Sequence, residues 1–586
     1  MSRERRAPEL RRAALWALLA WLACAVVMLW LFRANYAGLS FRDPDDAMRL
    51  AQIRDWIGGQ SFWDVSQHRV NPPVGGPMHW SRIVDMPVTA LILVLRPILG
   101  AGAAELVACL AVPLLLLGGL VAAVFVAARR MAGAMVALIA VALLLTGPSI
   151  LVQFTPLRID HHGWQIVLAT LALAGAMDAR ARRGGIVAGL AIATWLQISS
   201  EALPYAALFG AVFGLRHWIA QDQAARFIGF AGALGGTALP MLVALRGPGA
   251  AITSYCDALS AVYAWPLAAF AGATLVAARW RGTASGADRF AIAAIGGGAA
   301  VLVFALTGGP CLTGDPFAAL GPTAYRLWYL QVMEGRPIWE QSASMWGVIL
   351  LPPLAGLIAS IAAGRRAQGE ARMRWLALAL LIAGATGVAC LVMRALSLAH
   401  VFALPALGWA ILALFRRVQA SLSMPVRVLG SVALVLLTPA GLCGAWIAVA
   451  AKSEPAKPAG LGCKTPESFA LLRRLPPTTL FAPIDLGPDI LVQTRHRVIA
   501  TAHHRNAAGI TAVIDGFVQP PERARSVIMR TSAAYLLGCD SLSEVAAYRR
   551  AYPNGLAAML AKGRVPAWLE PLPGAGPLRL YRIRPE

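Results

Sequence analysis

Charged residues are scarce in this sequence. They make up 14% of its 586 residues, whereas hydrophobic residues make up 58%, and lysine is almost absent. A soluble chain of this length needs far more polar surface to cover its core, so the composition excludes an ordinary soluble protein. Long apolar stretches recur between residues 13 and 450, and many are long enough to cross roughly 30 Å of hydrocarbon.

Arginine carries nearly all of the formal net charge of +23. On a soluble protein such a balance would suggest a nucleic-acid partner. Here the arginine clusters flank apolar stretches, which is the pattern that sets membrane topology. We therefore expect these arginines to lie beside a lipid bilayer, and we expect no nucleic-acid partner.

Placing the arginine clusters in the cytoplasm predicts about thirteen spans. The first follows five arginines and lacks a small-residue cleavage site, which favours a retained helix with a cytoplasmic N-terminus over a signal peptide. The segment 86–99 is short and contains Arg96-Pro97, so it predicts an interfacial or re-entrant helix. The spans lie near 13–33, 103–128, 131–148, 164–178, 185–198, 201–216, 226–245, 255–278, 289–307, 346–363, 375–394, 398–415 and 428–450.

An odd number of spans places the C-terminus outside. The sequence thus predicts a polytopic α-helical membrane domain over 1–450, with long periplasmic loops at 34–102, 148–163 and 308–345. A periplasmic domain is predicted over 451–586, and it begins with a linker at 452–458. Its pattern is α/β, with strands predicted at 479–483, 496–502, 533–539 and 578–583 and helices at 468–475 and 542–552.

Two cysteines, Cys463 and Cys539, lie in the predicted periplasmic domain. In an oxidising compartment a disulfide between them is favoured over two buried thiols. Apart from Cys311 in a loop, the other cysteines lie in or near apolar spans and are expected to be packing residues.

Acidic residues cluster in the first outside loop, where Asp43, Asp45 and Asp46 follow the first span. Carboxylates this close repel one another unless they are neutralised, and divalent cations bind carboxylate oxygens. The cluster indicates either a metal or catalytic site or a solvated loop with an Asp helix cap.

The second outside loop ends in the run Arg158-Ile159-Asp160-His161-His162-Gly163, directly before a span. Asp and His beside a membrane indicate a metal or acid/base group, or else polar residues that anchor a helix end.

Two further features lie outside. The loop 308–345 carries aromatic residues at 325–329 and then Glu334, a mixture that suits sugar binding or a loop lying on the bilayer surface. Arg394 ends the eleventh span on the outer side, against the positive-inside trend. A lipid phosphate or pyrophosphate would be a natural partner for it, and snorkelling to headgroups is the alternative.

The order of these motifs resembles the catalytic subunits of oligosaccharyltransferases, within the GT-C superfamily of membrane glycosyltransferases. That family has thirteen spans, a cytoplasmic N-terminus and an extracytoplasmic C-terminal domain. The similar segments here are Arg42-Asp43-Pro44, Asp160-His161-His162-Gly163, Val332-Met333-Glu334 with Pro337, Arg394, and Pro483-Ile484-Asp485-Leu486-Gly487 followed by Ile490, Arg497 and His503-His504-Arg505-Asn506.

The resemblance implies roles for these residues. Asp43 takes the place of the catalytic acid and, with Asp160 and His162, of the metal ligands. Glu334 takes the place of the loop acid that completes the site and holds the acceptor. Arg394 would bind donor phosphates and Asp485 the acceptor, and the possible additional site residues are Asp45, Asp46, Arg158 and His161.

The sequence departs from the family at two places. Pro483-Ile484 stands where the family has two Trp that recognise the Ser/Thr of the acceptor sequon, which leaves the acceptor class open. His162 stands where the family has a Glu ligand. Imidazole suits Mn²⁺ or Zn²⁺ better than Mg²⁺, so a divalent metal, Mg²⁺ or Mn²⁺, is expected without a fixed identity.

The function implied by the resemblance is an inverting glycosyltransferase of a bacterial inner membrane. It would transfer a sugar or oligosaccharide from a polyprenyl phosphate- or diphosphate-linked donor to a periplasmic protein, polysaccharide or lipid. The alternative is a transporter or flippase of a lipid-linked or anionic substrate, which predicts ionisable residues deep in helices and repeat symmetry. A third hypothesis, a binding module on an anchor, needs far fewer spans.

Overall fold

The long apolar stretches of the sequence form helices. The computed structural model describes residues 3–312, 317, 320–450, 462–575 and 577–584, so the predicted linker 452–458 lies outside the described residues. The α-helices of the membrane part are α1 (Arg3–Leu31), α2 (Pro44–Ile57), α3 (Asp85–Leu99), α4 (Ala101–Ala132), α5 (Ala134–Leu145), α6 (Pro148–Leu151), α7 (His162–Ala176), α8 (Ala181–Ile198), α9 (Ala202–Ile219), α10 (Ala224–Arg246), α11 (Ala261–Arg281), α12 (Gly286–Thr307), α13 (Gly321–Leu327), α14 (Ala343–Arg366), α15 (Gly369–Leu391), α16 (Leu396–Gln419), α17 (Met424–Ala433) and α18 (Pro439–Ala450).

Each predicted span contains a helix, although the span predicted at 255–278 becomes helical only at Ala261. Among the described residues, eight helices are long and apolar enough to cross a membrane, or up to ten if two bent pairs are each one span. The bent pairs are α5 with α6 and α17 with α18, and both break next to a proline, which cannot continue a helix ladder. The multi-span helical class is therefore confirmed. The predicted count of thirteen is reached only if the shorter helices α7, α8 and α9 also cross the membrane.

The arginine clusters and the outside loops lie at opposite ends of the helix bundle. Arg130, near the end of α4, forms an ion pair of 2.9 Å with Asp178 in the connection between α7 and α8. Near the other end of α4, the Leu157 N–H of the second outside loop donates to the Cys109 carbonyl. Cys109 and Arg130 are separated along the helix by about 31 Å, one hydrocarbon thickness. Which end faces the periplasm stays a prediction.

The segment predicted to lie at the membrane interface forms helix α3. One face buries Val88 and Ile92, whereas Leu93, Val94 and Ile98 are more than half exposed. The exposed face is apolar, which suits a helix that lies against lipid rather than in water.

Residues 462–584 form a domain around a five-stranded sheet, which confirms the predicted α/β class. The strand order is β2-β1-β3-β5-β4, with β1 parallel to β2 and β3 and the remaining pairs antiparallel. The elements are α19 (Pro466–Arg473), β1 (Thr479–Phe481), α20 (Gly487–Gln493), β2 (Arg497–Val498), α21 (Ala507–Val518), α22 (Pro521–Ile528), β3 (Tyr535–Cys539), α23 (Ser543–Ala551), α24 (Leu556–Ala561), β4 (Leu569–Ala575) and β5 (Leu578–Ile583).

Two strands differ from the prediction. The sequence does not predict β4, because its two prolines cannot donate hydrogen bonds to a ladder; β4 lies at the sheet edge, where proline is tolerated. Strand β2 ends at Val498, whereas the pattern predicts a strand over 496–502. The residues that follow leave the sheet and approach the membrane part, where His503 and His504 line a cavity.

Two disulfides are present. Cys463 and Cys539 are joined, with Cα atoms 6.1 Å apart. Cys256 and Cys311 are also joined, with Cα atoms 5.2 Å apart. The expectation that Cys256 is a packing residue in or near a span is wrong, because it forms a disulfide in the loop before α11, which begins at Ala261.

The first outside loop and the C-terminal domain share backbone hydrogen bonds. The Val498 N–H donates to the Arg69 carbonyl at 2.9 Å, and the Asn71 N–H donates to the Val498 carbonyl at 2.7 Å. The Arg69 guanidinium also donates to the carbonyls of Leu491 at 2.8 Å and Thr494 at 3.1 Å. The domain is therefore held on the loop that carries the acidic cluster.

Removing the Cys463–Cys539 bridge is expected to loosen the C-terminal domain. The bridged residues are 76 apart in sequence, and closing a loop of that size stabilises the folded state by about 4–5 kcal/mol through the entropy of the unfolded chain. The double variant Cys463→Ser/Cys539→Ser should be cleaved faster by trypsin within this domain, followed on gels. Cys24→Ser, which removes an unbridged thiol, is the control, and equal resistance of both proteins would contradict the expectation.

Candidate active site

A cavity of about 530 Å³ lies at the end of the bundle that carries the outside loops. Six of the site residues predicted from sequence line it: Asp43, Asp45, His161, Glu334, Arg394 and Asp485. The other four, Asp46, Arg158, Asp160 and His162, lie behind this lining and contact it or one another. The remaining lining residues are Pro44, His79, Trp80, Ser199, Ser200, Glu201, Cys256, Asp257, Phe317, Trp328, Tyr329, Val332, Gly335, Arg336, Val392, Ala502, His503 and His504.

Arg158 joins the first two acidic motifs. Its guanidinium lies 2.6 Å from Asp43 Oδ2, 3.1 Å from Asp46 Oδ2 and 2.9 Å from Asp160 Oδ2. One cation thus faces three carboxylates that are largely buried, and the cluster keeps a net negative charge when all three are ionised. Such an excess favours a further cation or a proton at this place.

Local sequence explains why these acids meet. Asp43 is the N-cap of α2: its carboxylate accepts the Asp45 N–H at 2.9 Å, and Pro44 occupies the first helical position. One turn on, Asp46 Oδ1 accepts the Asp160 N–H at 2.9 Å. Asp160 in turn accepts the His162 N–H at 3.0 Å, so the start of α2 fixes the start of α7.

The acids of the first loop have different affinities for protons. Burial and the neighbouring Asp45 raise the pKa of Asp43, although Arg158 opposes the shift. Burial raises the pKa of Asp46 well above its usual range. Burial acts on Asp45 in the same direction, but the neighbouring imidazole of His503 outweighs it and lowers the pKa of Asp45. Groups whose pKa values are pushed apart in this way suit different roles in one site.

The arrangement of possible metal ligands differs from the expected set of Asp43, Asp160 and His162. Asp43 faces Arg158, and His162 Nε2 is 3.6 Å from Asp160 Oδ2. Single ligand atoms of Asp45, Asp160 and His161 instead lie within 4.8 Å of one another.

Two histidine nitrogens support a metal site there. His161 Nδ1 and His503 Nε2 are buried and have no hydrogen-bond partner among the described residues. His503 Nε2 lies 3.5 Å from Asp45 Oδ1, on the side of the C-terminal domain. Nitrogen and carboxylate donors together fit Mn²⁺ or Zn²⁺ better than Mg²⁺.

Arg394 and Glu334, predicted from separate motifs, meet in the cavity. The Arg394 guanidinium forms an ion pair with Glu201 and lies 3.6 Å from Glu334 Oε1. The Met393 N–H donates to the Arg336 carbonyl at 3.1 Å, which ties the long loop to the end of α15. No sequence motif singles out Glu201, which stands alone just before α9.

A second group of titratable residues, His79, Asp257 and His504, lines the same cavity and was not predicted. Their ligand atoms lie within 4.8 Å of one another. Asp257 accepts hydrogen bonds from His504 at 2.7 Å and from Arg505 at 2.7 and 2.8 Å. His504 and Arg505 stood in the motif run of the C-terminal domain, but Asp257 was assigned to a span that in fact starts four residues later.

The segment carrying Asp485 is fixed from behind by Glu544 on α23. The backbone N–H groups of Ile484 and Asp485 donate to the Glu544 carboxylate at 3.1 and 2.8 Å, and the Tyr548 hydroxyl donates at 3.0 Å. Ile484 is fully buried, so its side chain does not line the cavity, whereas Asp485 does.

Comparison of folds finds solved structures that superpose on almost the whole chain. Archaeoglobus fulgidus oligosaccharyltransferase AglB, in complex with an inhibitory peptide and a dolichol-phosphate, gives a TM-score of 0.63 at 14% identity over 95% of this chain and 72% of that one. The fold is that of an oligosaccharyltransferase. The resemblance inferred from the motifs is thereby confirmed at the level of fold.

Further structures of the Archaeoglobus fulgidus oligosaccharyltransferase agree. Its apo form gives a TM-score of 0.64 at 14% identity over 92% of this chain and 72% of that one. Its complex with Zn and sulfate gives 0.57 at 14% identity over 96% and 73%. No protein-family model and no curated protein matches this sequence.

Glu544 should make stability depend on pH. Burial, and then the charge of Asp485, raise the pKa of Glu544 to about 8 from an ordinary 4.5. The folded protein therefore keeps a proton that the unfolded chain releases, and stability falls as pH rises from 4.5 through 8. The Tm of Glu544→Gln is expected to fall less than that of the wild type between pH 5 and pH 9.

The control for this measurement is Glu467→Gln on the exposed face of α19. It should keep the wild-type slope of Tm against pH. If Glu544→Gln also keeps that slope, the assigned titration is wrong.

Proposed function

We propose that this protein is a glycosyltransferase that moves a sugar or oligosaccharide from a polyprenyl phosphate- or diphosphate-linked donor to an acceptor outside the membrane. The observation that carries the proposal is the convergence of Asp43, Glu334, Arg394 and Asp485 on one cavity. These residues come from four segments far apart in sequence, and the fold is that of an oligosaccharyltransferase.

Arg394 is the proposed ligand of the donor phosphate. Its guanidinium lines the cavity, at the end of the bundle that carries the outside loops, where a lipid-borne anion can approach it. Its partners Glu201 and Glu334 are both carboxylates on the cavity wall. A phosphate would compete with them for the guanidinium, and release of Glu334 would allow its loop to hold the acceptor.

Asp43 is the proposed base. Its raised pKa makes it a better proton acceptor than an ordinary carboxylate. The acceptor attacks the anomeric carbon as Asp43 takes its proton, and the bond between that carbon and the phosphate oxygen breaks. The phosphate leaves with the electron pair and is stabilised by Arg394. Because the acceptor attacks from the face opposite the phosphate, the configuration at the anomeric carbon is inverted.

Asp45, Asp160, His161 and His503 are the residues proposed to hold a divalent metal. When bound, the metal would offset negative charge on the departing phosphate. The protein's own contribution is to keep Asp45 ionised beside His503 and to position Asp160 through its ion pair with Arg158. The Archaeoglobus fulgidus oligosaccharyltransferase has a structure in complex with Zn and sulfate, which supports a divalent metal at this site.

The group that receives the sugar is proposed to be something other than the Asn of a protein sequon. Pro483 and Ile484 stand where the family has its sequon-reading Trp pair, and Ile484 is buried away from the cavity. Trp328, Tyr329 and Phe317 line the cavity and offer flat apolar faces that suit sugar rings. Asp485 lines the same cavity and can accept hydroxyl hydrogen bonds.

A transporter is the weaker alternative. In the described membrane part, the Asp and Glu residues lie in loops or near helix ends. A transport path for an anionic substrate predicts ionisable residues deep within the helices. We propose that the membrane is a bacterial inner membrane, with the cavity on the periplasmic side and the N-terminus in the cytoplasm.

Replacing Asp43 tests the proposed reaction. Asn is as good an N-cap as Asp, so Asp43→Asn should fold while losing the base. Transfer or release of label from an undecaprenyl diphosphate-linked oligosaccharide by purified protein should fall by about 100-fold or more. Asp64→Asn, in the same loop but off the cavity, should stay active. The proposal fails if the wild type releases no label or if Asp43→Asn keeps full activity.

Metal content tests the proposed ligands without relying on activity. Purified protein loaded with Mn²⁺ or Zn²⁺ and desalted should retain metal, measured by mass spectrometry. Loss of one ligand in His161→Ala should weaken retention by about tenfold or more. His68→Ala, on the exposed part of the first loop, is the control, and equal retention by both variants would contradict the assignment.

A further inference from the structure

A second cavity, of about 300 Å³, adjoins the active-site cavity at the same end of the bundle. We call it the arginine pocket. The first outside loop, the end of α10, the loop before α11 and the C-terminal domain meet there, through Trp63, Arg246, Tyr255 and Arg505. Trp80 lines both cavities, so the two are neighbours at this residue. The volume is at the lower end of the range for small-molecule sites.

The arginine pocket has an excess of positive charge. Two guanidiniums line it, and its described lining residues include no Asp or Glu. Arg505 is matched by Asp257 through hydrogen bonds of 2.7 and 2.8 Å. Arg246 donates to the His79 carbonyl at 2.6 Å, but within the described part of the chain its buried Nε has no hydrogen-bond partner. A largely buried cation without a counter-charge is costly, so Arg246 favours an anion in the pocket.

The place of Arg246 in the chain supports the same conclusion. It ends α10 at the end of the bundle that carries the outside loops, where an arginine goes against the positive-inside trend. Snorkelling to lipid headgroups is the ordinary explanation for such a residue. Here the guanidinium instead contacts the first outside loop, through the His79 carbonyl, and lines the pocket.

Aromatic rings lie beside the two guanidiniums. Trp63 and Tyr255 are 54% and 46% exposed. The indole of Trp63 is fixed at the end of α10, because its N–H donates to the Ala244 carbonyl at 3.1 Å. The Arg505 guanidinium lies 4.3 Å from the centroid of the Tyr255 ring. A flat apolar face beside a guanidinium suits a sugar ring that carries an acidic group, since the ring can stack while the guanidinium binds the carboxylate through two parallel hydrogen bonds.

We propose that the arginine pocket binds an acidic sugar residue of the substrate glycan, with Arg246 as the ligand of its carboxylate and Trp63 as the surface beneath its ring. The inference rests on the proposed function and adds the chemical class of the glycan. A sugar next to the one that reacts can reach the pocket, because Trp80 borders both cavities. The pocket would thus select a glycan by charge without touching the reacting carbon.

Trigalacturonic acid and its methyl ester have the same rings and differ in charge, so together they separate the contact with arginine from the contact with the ring. Binding of each to the purified full-length protein is measured by isothermal titration calorimetry. The wild type is expected to bind the acid about tenfold or more tightly than the ester, because a hydrogen bond between charged partners is stronger than one to a neutral ester.

Three variants of the pocket divide its contributions. Arg246→Gln should abolish the preference for the acid, whereas Arg246→Lys, which keeps the charge, should retain part of it. Trp63→Ala should weaken the acid and the ester alike, by about threefold or more, because both lose the apolar contact. Arg96→Gln is the matched control: it removes an exposed arginine at the end of α3, outside both cavities, and should bind as the wild type does.

Other outcomes overturn the inference. If the wild type binds the acid and the ester equally or binds neither, or if Arg96→Gln loses the preference as Arg246→Gln does, the pocket does not recognise an acidic sugar. If phosphatidylglycerol or inorganic phosphate displaces trigalacturonic acid at equal concentration, the pocket holds a lipid headgroup or a free anion instead. The proposed function is judged separately, by release of label from the undecaprenyl diphosphate-linked oligosaccharide, which these outcomes leave unchanged.

Discussion

The candidate site depends on one buried cation, the guanidinium of Arg158. It contacts carboxylates from the cap of α2, from the first turn of α2 and from the loop before α7. Without it, three carboxylates with little access to water would repel one another, and breaking such a buried group costs several kcal/mol. Arg158 therefore holds the first and second outside loops together and sets where Asp43 and Asp45 stand relative to His161.

The C-terminal domain is a wall of the site rather than an appendage. It supplies Asp485, His503 and His504 to the cavity, and Arg505 binds Asp257 in the loop before α11. The residue pairs that join the two parts lie hundreds of positions apart, as with Asn71 and Asn506. Polar contacts of this kind fix the orientation of the C-terminal domain relative to the membrane part, because a hydrogen bond depends on direction as well as distance.

The sequence predicted the helical class, the C-terminal α/β domain and six of the residues that line the cavity. Apolar length and arginine placement carry that information locally, which is why the spans were recognised. It did not predict which side chains face one another. The group that could hold a metal in the structure is Asp45, Asp160 and His161, and Asp43 faces Arg158. The expected roles of Asp43 and His162 as ligands stay predictions. Cys256 and Asp257 were missed, since α11 starts at Ala261, later than predicted, and leaves them in a loop. Glu201 was missed because it stands before α9 without a motif.

The hydrogen bonds between residues 69–71 and Val498 have a consequence for biosynthesis. The first loop is made early, whereas its strand partner follows more than 400 residues later, which takes roughly 20–90 s at ordinary rates of translation. During that time the acids of the first loop have no opposite wall. A nascent chain thus cannot assemble the cavity until nearly its last residues have been made, and a prematurely ended chain would lack the wall that carries Asp485, His503 and His504.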